Sequence, residues 1–177
     1  MNITAGSLRG RRLQPLALPG LRPTPAKVRQ ALFNILADIS GMRVLDLFAG
    51  SGVMALEALS RGAAFAVSVE QQRRAADAME LLRIDWGLDE RWRIMSSGVE
   101  HALAVLAGNS FDLVFADPPY AQGMATQLPQ WLDQQNISCT QLVIEESARI
   151  ESQWPTGWHC EQSRCYGDTC LHFLARS

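Results

Sequence analysis

Long hydrophobic runs are absent from this chain. No apolar stretch approaches the roughly 18 residues that a membrane-spanning helix needs, and the segment from Met1 to Ile3 opens no secretory signal pattern. Internal repeats and low-complexity segments are missing as well. We therefore expect a cytoplasmic protein that does not contact a membrane. Its 177 residues, 47% of them apolar, are enough for one globular domain with a hydrophobic core.

Cysteine and histidine are both scarce. The chain has four cysteines without Cys-x-x-Cys spacing, and three histidines on unrelated segments. Cys160, Cys165 and Cys170 recur every five residues, a spacing that alternates between the two faces of a continuous strand. These thiols are therefore not expected to converge on a metal ion. In a cytoplasmic protein we expect all four thiols to be reduced.

Acidic residues are missing from the first 37 positions. This segment contains six bases: Arg9, Arg11, Arg12, Arg22, Lys27 and Arg29. The remaining residues contain ten bases and all 18 acids, so the net charge of −2 hides a basic segment on an acidic body. Such a segment favours a polyanionic partner, and we divide the chain into a basic arm, residues 1–24, and a domain, residues 25–177. A solvated basic loop is the alternative for the arm, and Arg22 and Arg29 are equally suited to ordering it against the body.

Apolar strand-like runs alternate with amphipathic segments through the rest of the chain. The predicted strands are 44–48, 64–69, 91–95, 111–116, 142–145, 158–166 and 169–175. The predicted helices are 53–61, 72–86, 99–107 and 122–135, the last divided at Pro129. Thr24 as N-cap and Pro25 at the first helical position predict an earlier helix that reaches Ile39. This order predicts an α/β fold: a mostly parallel sheet with helices on both faces and a C-terminal antiparallel hairpin.

A glycine turn follows the first predicted strand. Its residues are Asp46, Phe48, Ala49, Gly50, Ser51 and Gly52. Glycines let the backbone approach a ligand, and the amino end of the next helix favours an anion. Glu70, 20 residues after Gly50, stands where a ribose-binding acid is expected, a pattern that fits both NAD and S-adenosylmethionine. Asp46 favours the second, because a carboxylate can bind an ammonium group; it is equally suited to bonding the N–H groups of the loop.

The fourth predicted strand ends in Asp117-Pro118-Pro119-Tyr120. Proline disfavours a helical conformation in the preceding residue and has no N–H, so this segment is stiff and extended. It offers a carboxylate, free carbonyl groups and an aromatic ring, but no nucleophile. We expect it to hold a planar base by its amino group, with Asp117 and the Pro118 carbonyl each accepting one amine hydrogen and Tyr120 stacking on the ring. A strand terminator with a buried tyrosine is the structural alternative.

Seven motifs extend over nearly the whole chain. They are 4–13, 21–24, 28–36, 45–52, 56–63, 111–120 and 166–169. Together they resemble the bacterial class I amino-methyltransferases that methylate N2 of a guanine in small-subunit (16S) ribosomal RNA. The resemblance implies a Rossmann-like class I fold, S-adenosylmethionine as cofactor, and a monomer that acts on this RNA, free or within a 30S subunit or assembly intermediate.

The resemblance also implies roles for individual residues. It predicts a catalytic group of Asp117, Pro118 and Tyr120. It predicts cofactor contacts from Asp46, Phe48, Ala49, Gly50, Ser51, Gly52, Glu70, Gln71, Gly98, Val99 and Asp117. It predicts substrate contacts from Arg9, Arg11, Arg12, Arg22, Thr24, Lys27, Arg29, Pro119 and Tyr120. Where the family commonly has an Asp or Asn for the adenine amino group, this chain has Ser97, Gly98 and Val99, so backbone groups of Gly98 or Val99 are expected to serve.

Three alternative functions fit part of the same pattern. An adenine-N6 methyltransferase acting on DNA or RNA would use the same residues. A protein-glutamine methyltransferase usually has Asn at the first motif position, so Asp117 counts against it. A non-catalytic RNA-binding module would have no affinity for the cofactor. Glu145 and Glu146 lie at the end of the fifth predicted strand, near the same platform, and are candidates for a further substrate contact.

Overall fold

The computed structural model describes residues 1–14, 24–120 and 122–177, so the predicted substrate residue Arg22 lies outside the described part. The strands are β1 (Arg43–Leu47), β2 (Phe65–Glu70), β3 (Trp92–Ser96), β4 (Ser110–Ala116), β5 (Ser138–Ser147), β6 (Trp158–Tyr166) and β7 (Thr169–Arg176). The helices are α1 (Ala26–Leu36), α2 (Val53–Ser60), α3 (Arg73–Asp85), α4 (Val99–Val105) and α5 (Met124–Gln134).

The seven strands form one sheet in the order β3-β2-β1-β4-β5-β7-β6. Neighbours from β3 to β5 are parallel, whereas β7 is antiparallel to both β5 and β6. The predicted mostly parallel sheet with a C-terminal antiparallel hairpin is therefore confirmed. The strand order reverses between β1 and β4, and in sheets of this kind ligands bind beyond the carboxyl ends of the strands at such a reversal.

Helices cover both faces of the sheet, as predicted. One core joins α1, α2 and α3 to residues such as Val44, Phe115 and Val143, and the other joins α4 and α5 to the opposite face. Side chains alternate along a strand, so Asp46, two residues after Val44, and Glu145, two residues after Val143, project from the first face. This alternation places strand-end carboxylates on the side where α1 and α2 pack.

The described part of the arm is a short hairpin attached to α2. Asn2 and Arg12 form an antiparallel bridge, and the buried side chains Ile3, Leu8 and Leu13 belong to the same core as α1 and α2. Ser60 of α2 bonds this hairpin through its side chain, whose Oγ accepts a hydrogen bond from the Leu8 N–H at 2.9 Å. Residues 1–14 thus share the hydrophobic core of the body.

Tertiary contacts changed several predicted boundaries. Pro25 is the N-cap of α1, so the prediction of Thr24 as cap was wrong; the Thr24 hydroxyl donates to Glu145 instead. The helix ends at Leu36 rather than Ile39.

The predicted division of α5 at Pro129 was also wrong, because Leu128 and Leu132 on either side are fully buried and hold one continuous helix. β5 begins four residues earlier than predicted, at Ser138, where it already pairs with Ser110 of β4.

The prediction that all four thiols are reduced was wrong for two of them. Cys165 and Cys170 form a disulfide bond across the β6–β7 hairpin, while Cys139 and Cys160 are free. The prediction treated the five-residue spacing as that of one continuous strand. Residues Gly167 and Asp168 turn the chain back, so Cys165 lies directly opposite Cys170. Within the described residues, no helix is long and apolar enough to cross a membrane, and no cluster of three or more His, Cys, Asp or Glu could hold a metal ion.

Candidate active site

A cavity of about 540 Å³ opens at the carboxyl ends of β1, β2, β4 and β5. It brings together the two predicted stretches: Asp46, Phe48, Ala49, Gly50 and Ser51 after β1, and Asp117, Pro118, Pro119 and Tyr120 after β4. It also includes Thr24, Glu70, Gln71 and Val99, as predicted. Glu145, which the sequence places near the platform, lines the cavity as well. Met1, Asp168 and Thr169 also line it, and the sequence did not predict these three as part of the site.

Two predicted cofactor residues border the cavity without lining it. A Cβ on Gly52 would lie 2.6 Å from the Met79 sulfur and 2.7 Å from Trp92, so this glycine lets the start of α2 pack closely against α3 and β3. Gly98 is the N-cap of α4, between Ser97 and Val99, which do line the cavity. Both glycines therefore shape the elements that carry the lining residues.

Glu70 orders the turn after β1. Its Oε2 accepts a hydrogen bond from the Gly50 N–H and its Oε1 one from the Gln72 N–H, each at 2.8 Å. Phe48 and Gly50 both have left-handed backbones, with φ of 59° and 55°, and a non-glycine residue in that region is strained, a feature common at binding sites. A carboxylate has about four lone-pair positions, so Glu70 retains acceptors for the hydroxyl groups of a ribose.

Asp46 has the structural role that the sequence allowed, and its position leaves the role of a cofactor contact open. Its Oδ2 accepts a hydrogen bond from the Ala55 N–H at 3.3 Å, and the residue also lines the cavity. Its side chain is almost fully buried, and this burial raises the pKa of Asp46 to about 7. A cationic ligand placed beside it would stabilise its charged form.

Asp117 lines the cavity at the end of β4. Its backbone N–H donates to the Leu47 carbonyl at 3.3 Å, which fixes the end of β4 beside β1. Burial, and then the negative charge of Glu145, raise the pKa of Asp117 above the usual range of an aspartate. Among the hydrogen bonds of the described residues, none is accepted by the Asp117 carboxylate, so its lone pairs remain available to a ligand.

Tyr120 is held by two neighbours at its hydroxyl group. The hydroxyl donates to Oε1 of Glu145 at 3.3 Å and lies 3.1 Å from the Thr169 hydroxyl. Burial raises the pKa of Tyr120 to about 12, so the phenol is a neutral donor at physiological pH. The Thr24 hydroxyl donates to the other oxygen of Glu145, Oε2, at 3.4 Å. Glu145 of β5 is therefore bonded by Thr24, which precedes α1, and by Tyr120, which follows β4. Thr169, at the start of β7, completes the group through its contact with Tyr120.

The cavity is acidic. Its lining includes the carboxylates of Asp46, Glu70, Asp117, Glu145 and Asp168, and the described lining residues include no lysine or arginine. Such a lining suits a cationic ligand and opposes the pyrophosphate of a dinucleotide. The sulfonium and ammonium groups of S-adenosylmethionine fit this lining, whereas NAD does not.

The predicted basic residues do not all lie on the surface. Arg9, Arg11, Arg12 and Lys27 are exposed, and the Arg11 guanidinium lies 5.2 Å from the Trp86 ring centre. Arg29, in contrast, is only 1% exposed. Its Nη1 donates to the Thr24 carbonyl at 2.7 Å and its Nη2 to the Asn2 carbonyl at 2.9 Å. The predicted substrate contact of Arg29 does not fit this position, and the alternative role of ordering the arm does.

Known proteins resemble this chain in sequence and in structure. Residues 1–175 match the family described as Conserved hypothetical protein 95. Ribosomal RNA small subunit methyltransferase D of Escherichia coli (strain K12) is 33% identical over 184 residues, which cover 99% of this chain and 90% of that protein. The structure of putative methyltransferase yhhF from Escherichia coli has a TM-score of 0.86 and 32% identity, and the match covers 99% of this chain and 97% of that one.

A more distant structure shares the fold alone. The RNA methyltransferase from Salinibacter ruber in complex with S-adenosyl-L-homocysteine has a TM-score of 0.66 at 16% identity, covering 86% of this chain and 92% of that one. The Escherichia coli matches, at about one third identity, extend over the arm, the glycine turn and the Asp117–Tyr120 segment alike. The resemblance found in the sequence is thereby confirmed, and the chain belongs to the family of ribosomal RNA small subunit methyltransferase D.

Proposed function

We propose that this protein transfers a methyl group from S-adenosylmethionine to the exocyclic N2 amine of a guanine in small-subunit ribosomal RNA. The observation that carries the proposal is the position of Asp117 and Pro118 in the same acidic cavity as the glycine turn. Both offer acceptors to which no donor among the described residues bonds. The names of the similar proteins support an RNA substrate, and the Salinibacter ruber complex supports this class of cofactor.

The part of the cavity beyond β1 and β2 fits the cofactor. Glu70 has spare acceptors for ribose hydroxyl groups, and Asp46 offers a carboxylate to the ammonium group of the methionine portion. The amino end of α2 offers backbone N–H groups to its carboxylate. When bound here, S-adenosylmethionine supplies an electrophilic methyl group on a positively charged sulfur. Ser97 and Val99 lie at the β3 side, where the adenine would reach.

The part of the cavity beyond β4 fits the amine. The lone pair of a purine amine is delocalised into the ring, so the nitrogen is a poor nucleophile. The Asp117 carboxylate and the Pro118 carbonyl would each accept one amine hydrogen, which turns the lone pair toward the methyl donor, and Tyr120 would flank the base. Orientation of this kind contributes several kcal/mol, since well-oriented groups gain about 7–11 kcal/mol. Asp117 would then take the released proton or pass it to water.

The exposed bases of the arm and of α1 support the choice of RNA. Arg9, Arg11, Arg12 and Lys27 belong to the segments that also supply Met1 and Thr24 to the cavity, so phosphates bound there would flank an unpaired base inserted into the site. We place the protein in the cytoplasm, where this RNA is found, and propose that it acts as a monomer on this RNA, either free or within a 30S subunit or assembly intermediate.

Mass spectrometry of the modified nucleoside tests this function. Small-subunit ribosomal RNA from a strain lacking the gene is incubated with the purified protein and labelled S-adenosylmethionine, and is then digested to nucleosides. We expect label in N2-methylguanosine. Label in N6-methyladenosine would replace the proposal by the adenine-N6 alternative. No label, together with no heat of binding for S-adenosylmethionine in calorimetry, would show a non-catalytic RNA-binding module.

A further inference from the structure

Glu145 is a buried carboxylate that has no cationic partner in the described part of the chain. It is 3% exposed, and it belongs to none of the salt bridges among the described residues. Its two hydrogen bonds, from Tyr120 and Thr24, are long at 3.3 and 3.4 Å. Buried charges are normally paired, and a carboxylate has about four lone-pair positions. Glu145 therefore has both charge and acceptor capacity left for a ligand in the cavity.

Glu145 and Asp117 lie side by side. β4 and β5 are parallel neighbours in which Ala116 is paired with Ile144, so the next residue of each chain segment, Asp117 and Glu145, comes level at the sheet edge. Both line the cavity. Burial, and then the negative charge of Glu145, raise the pKa of Asp117, as expected for neighbouring carboxylates. A ligand with two adjacent N–H donors would satisfy both of them.

A guanine has such a pair of donors. Its N1–H and its N2 amine are neighbours on one edge of the ring, whereas adenine presents an N1 acceptor beside its N6 amine. We infer that Glu145 accepts the N1–H of the target guanine while Asp117 and Pro118 hold the N2 amine, which makes Glu145 a specificity-determining residue of the site. This inference rests on the proposed function, and it explains how the chain excludes adenine, which Asp117, Pro118 and Tyr120 alone would accept.

The neighbours of Glu145 fix its two oxygens. Tyr120 bonds Oε1 and Thr24 bonds Oε2, so the carboxylate is oriented from both sides. Thr24 precedes α1 and Tyr120 follows the two prolines, and both lie on segments with restricted backbones. An adenine in the same position would direct its N1 lone pair at the ionised carboxylate. Because burial raises the pKa of Glu145 to about 7, this repulsion operates above that pH, where the activity assays are run. The arrangement thus attracts guanine and repels adenine with the same group.

The test compares Glu145→Gln with Glu146→Gln. Glu146 is an equally buried neighbour that does not line the cavity and whose Oε1 accepts the Ser147 N–H. The RNA carries either guanine or 2-aminopurine at the modified position, introduced by ligation of a synthetic segment. 2-Aminopurine keeps the reacting amine but has an acceptor at N1. For each protein, kcat/KM is measured on both RNAs, and the Kd of S-adenosylmethionine is measured by calorimetry.

We expect the wild type and Glu146→Gln to prefer guanine over 2-aminopurine by roughly tenfold to a hundredfold, the range of one well-formed base contact. In Glu145→Gln the preference should fall to within about threefold, because the amide can donate to the N1 acceptor. The ratio is taken within one preparation, so partial unfolding does not alter it. Thr24→Val, which removes the donor to Oε2, should give an intermediate ratio.

Several results would overturn the inference. One is a guanine preference in Glu145→Gln equal to that of the wild type. Another is a loss of guanine preference in Glu146→Gln as large as that in Glu145→Gln. A third is a cofactor Kd weakened more than about tenfold in Glu145→Gln, which would assign Glu145 to cofactor binding. Failure of the proposed function looks different. In that case the wild type methylates neither RNA, or its modified nucleoside is not N2-methylguanosine.

Discussion

Replacing Arg29 with methionine should destabilise the fold without removing an RNA contact. The Arg29 guanidinium is buried between the arm and α2, where its Nε lies 3.5 Å from Oε1 of Glu57. Glu57 is fully buried and also accepts hydrogen bonds from the Thr4 N–H and hydroxyl. Methionine fills part of the same volume but leaves Glu57 with Arg61, at 3.4 Å, as its one remaining cation among the described residues.

The size of the effect follows from these contacts. Breaking a buried ion pair by removing one partner costs about 3–5 kcal/mol. We expect about 3 kcal/mol, the lower end of this range, because Arg61 still offsets part of the Glu57 charge. This is a large share of a total stability of roughly 5–15 kcal/mol. With a urea m-value of about 1–3 kcal/mol/M, the urea midpoint should fall by on the order of 1–3 M.

Urea unfolding and RNA titration together check this reasoning. Lys27→Met, two residues earlier on the exposed side of α1, is the matched control. It should change stability by less than about 0.5 kcal/mol and should reduce the log–log salt slope of RNA binding by about 0.7 per lost phosphate contact. For Arg29→Met we expect the reverse: a lower midpoint with an unchanged slope. An unchanged midpoint with a reduced slope would refute the buried role of Arg29.

Two further predictions concern the pH dependence of activity and the attachment of the arm. The rate of methyl transfer should increase with pH through a pKa above the usual aspartate range, because Asp117 must be ionised to accept the amine hydrogen, and burial and the charge of Glu145 raise its pKa. In Glu145→Gln the midpoint of the pH profile of kcat/KM should move to lower pH. An unmoved midpoint would argue against an interaction between Asp117 and Glu145. Gly6→Ala should lower the Tm more than Gly10→Ala. Both glycines have a left-handed φ, of 82° and 83°, but only at Gly6 would an added Cβ overlap the Ser60 carbonyl. Equal destabilisation of about 1 kcal/mol by both substitutions would mean that the contact between Gly6 and α2 does not matter.

Most of the fold was predictable from local patterns. The predicted strands and helices from 44 to 116 match the structure within a residue or two, because apolar runs, glycine turns and helical spacing are signals within one segment. The errors arise where distant residues decide. Pro129 stays in α5 because neighbouring leucines are buried, and Cys165 meets Cys170 because the chain turns between them.

The site was predictable in part for the same reason. The glycine turn and the Asp117–Tyr120 segment have local signatures, and the structure brings them into one cavity. The burial of Arg29 had no such signal, because it depends on Glu57 and on the position of the arm. The sequence placed Glu145 near the same platform as a possible substrate contact, but the strand order that sets it beside Asp117 is a tertiary property.

The most direct test of the account is Asp117→Ala, measured for methyl transfer and for cofactor binding in the same preparation. If the carboxylate orients the amine, the single-turnover rate should fall by at least about a hundredfold, the effect of misplacing a reacting group by about 1 Å. The Kd of S-adenosylmethionine should change by less than about threefold. Methylation at the wild-type rate in this variant would contradict the account.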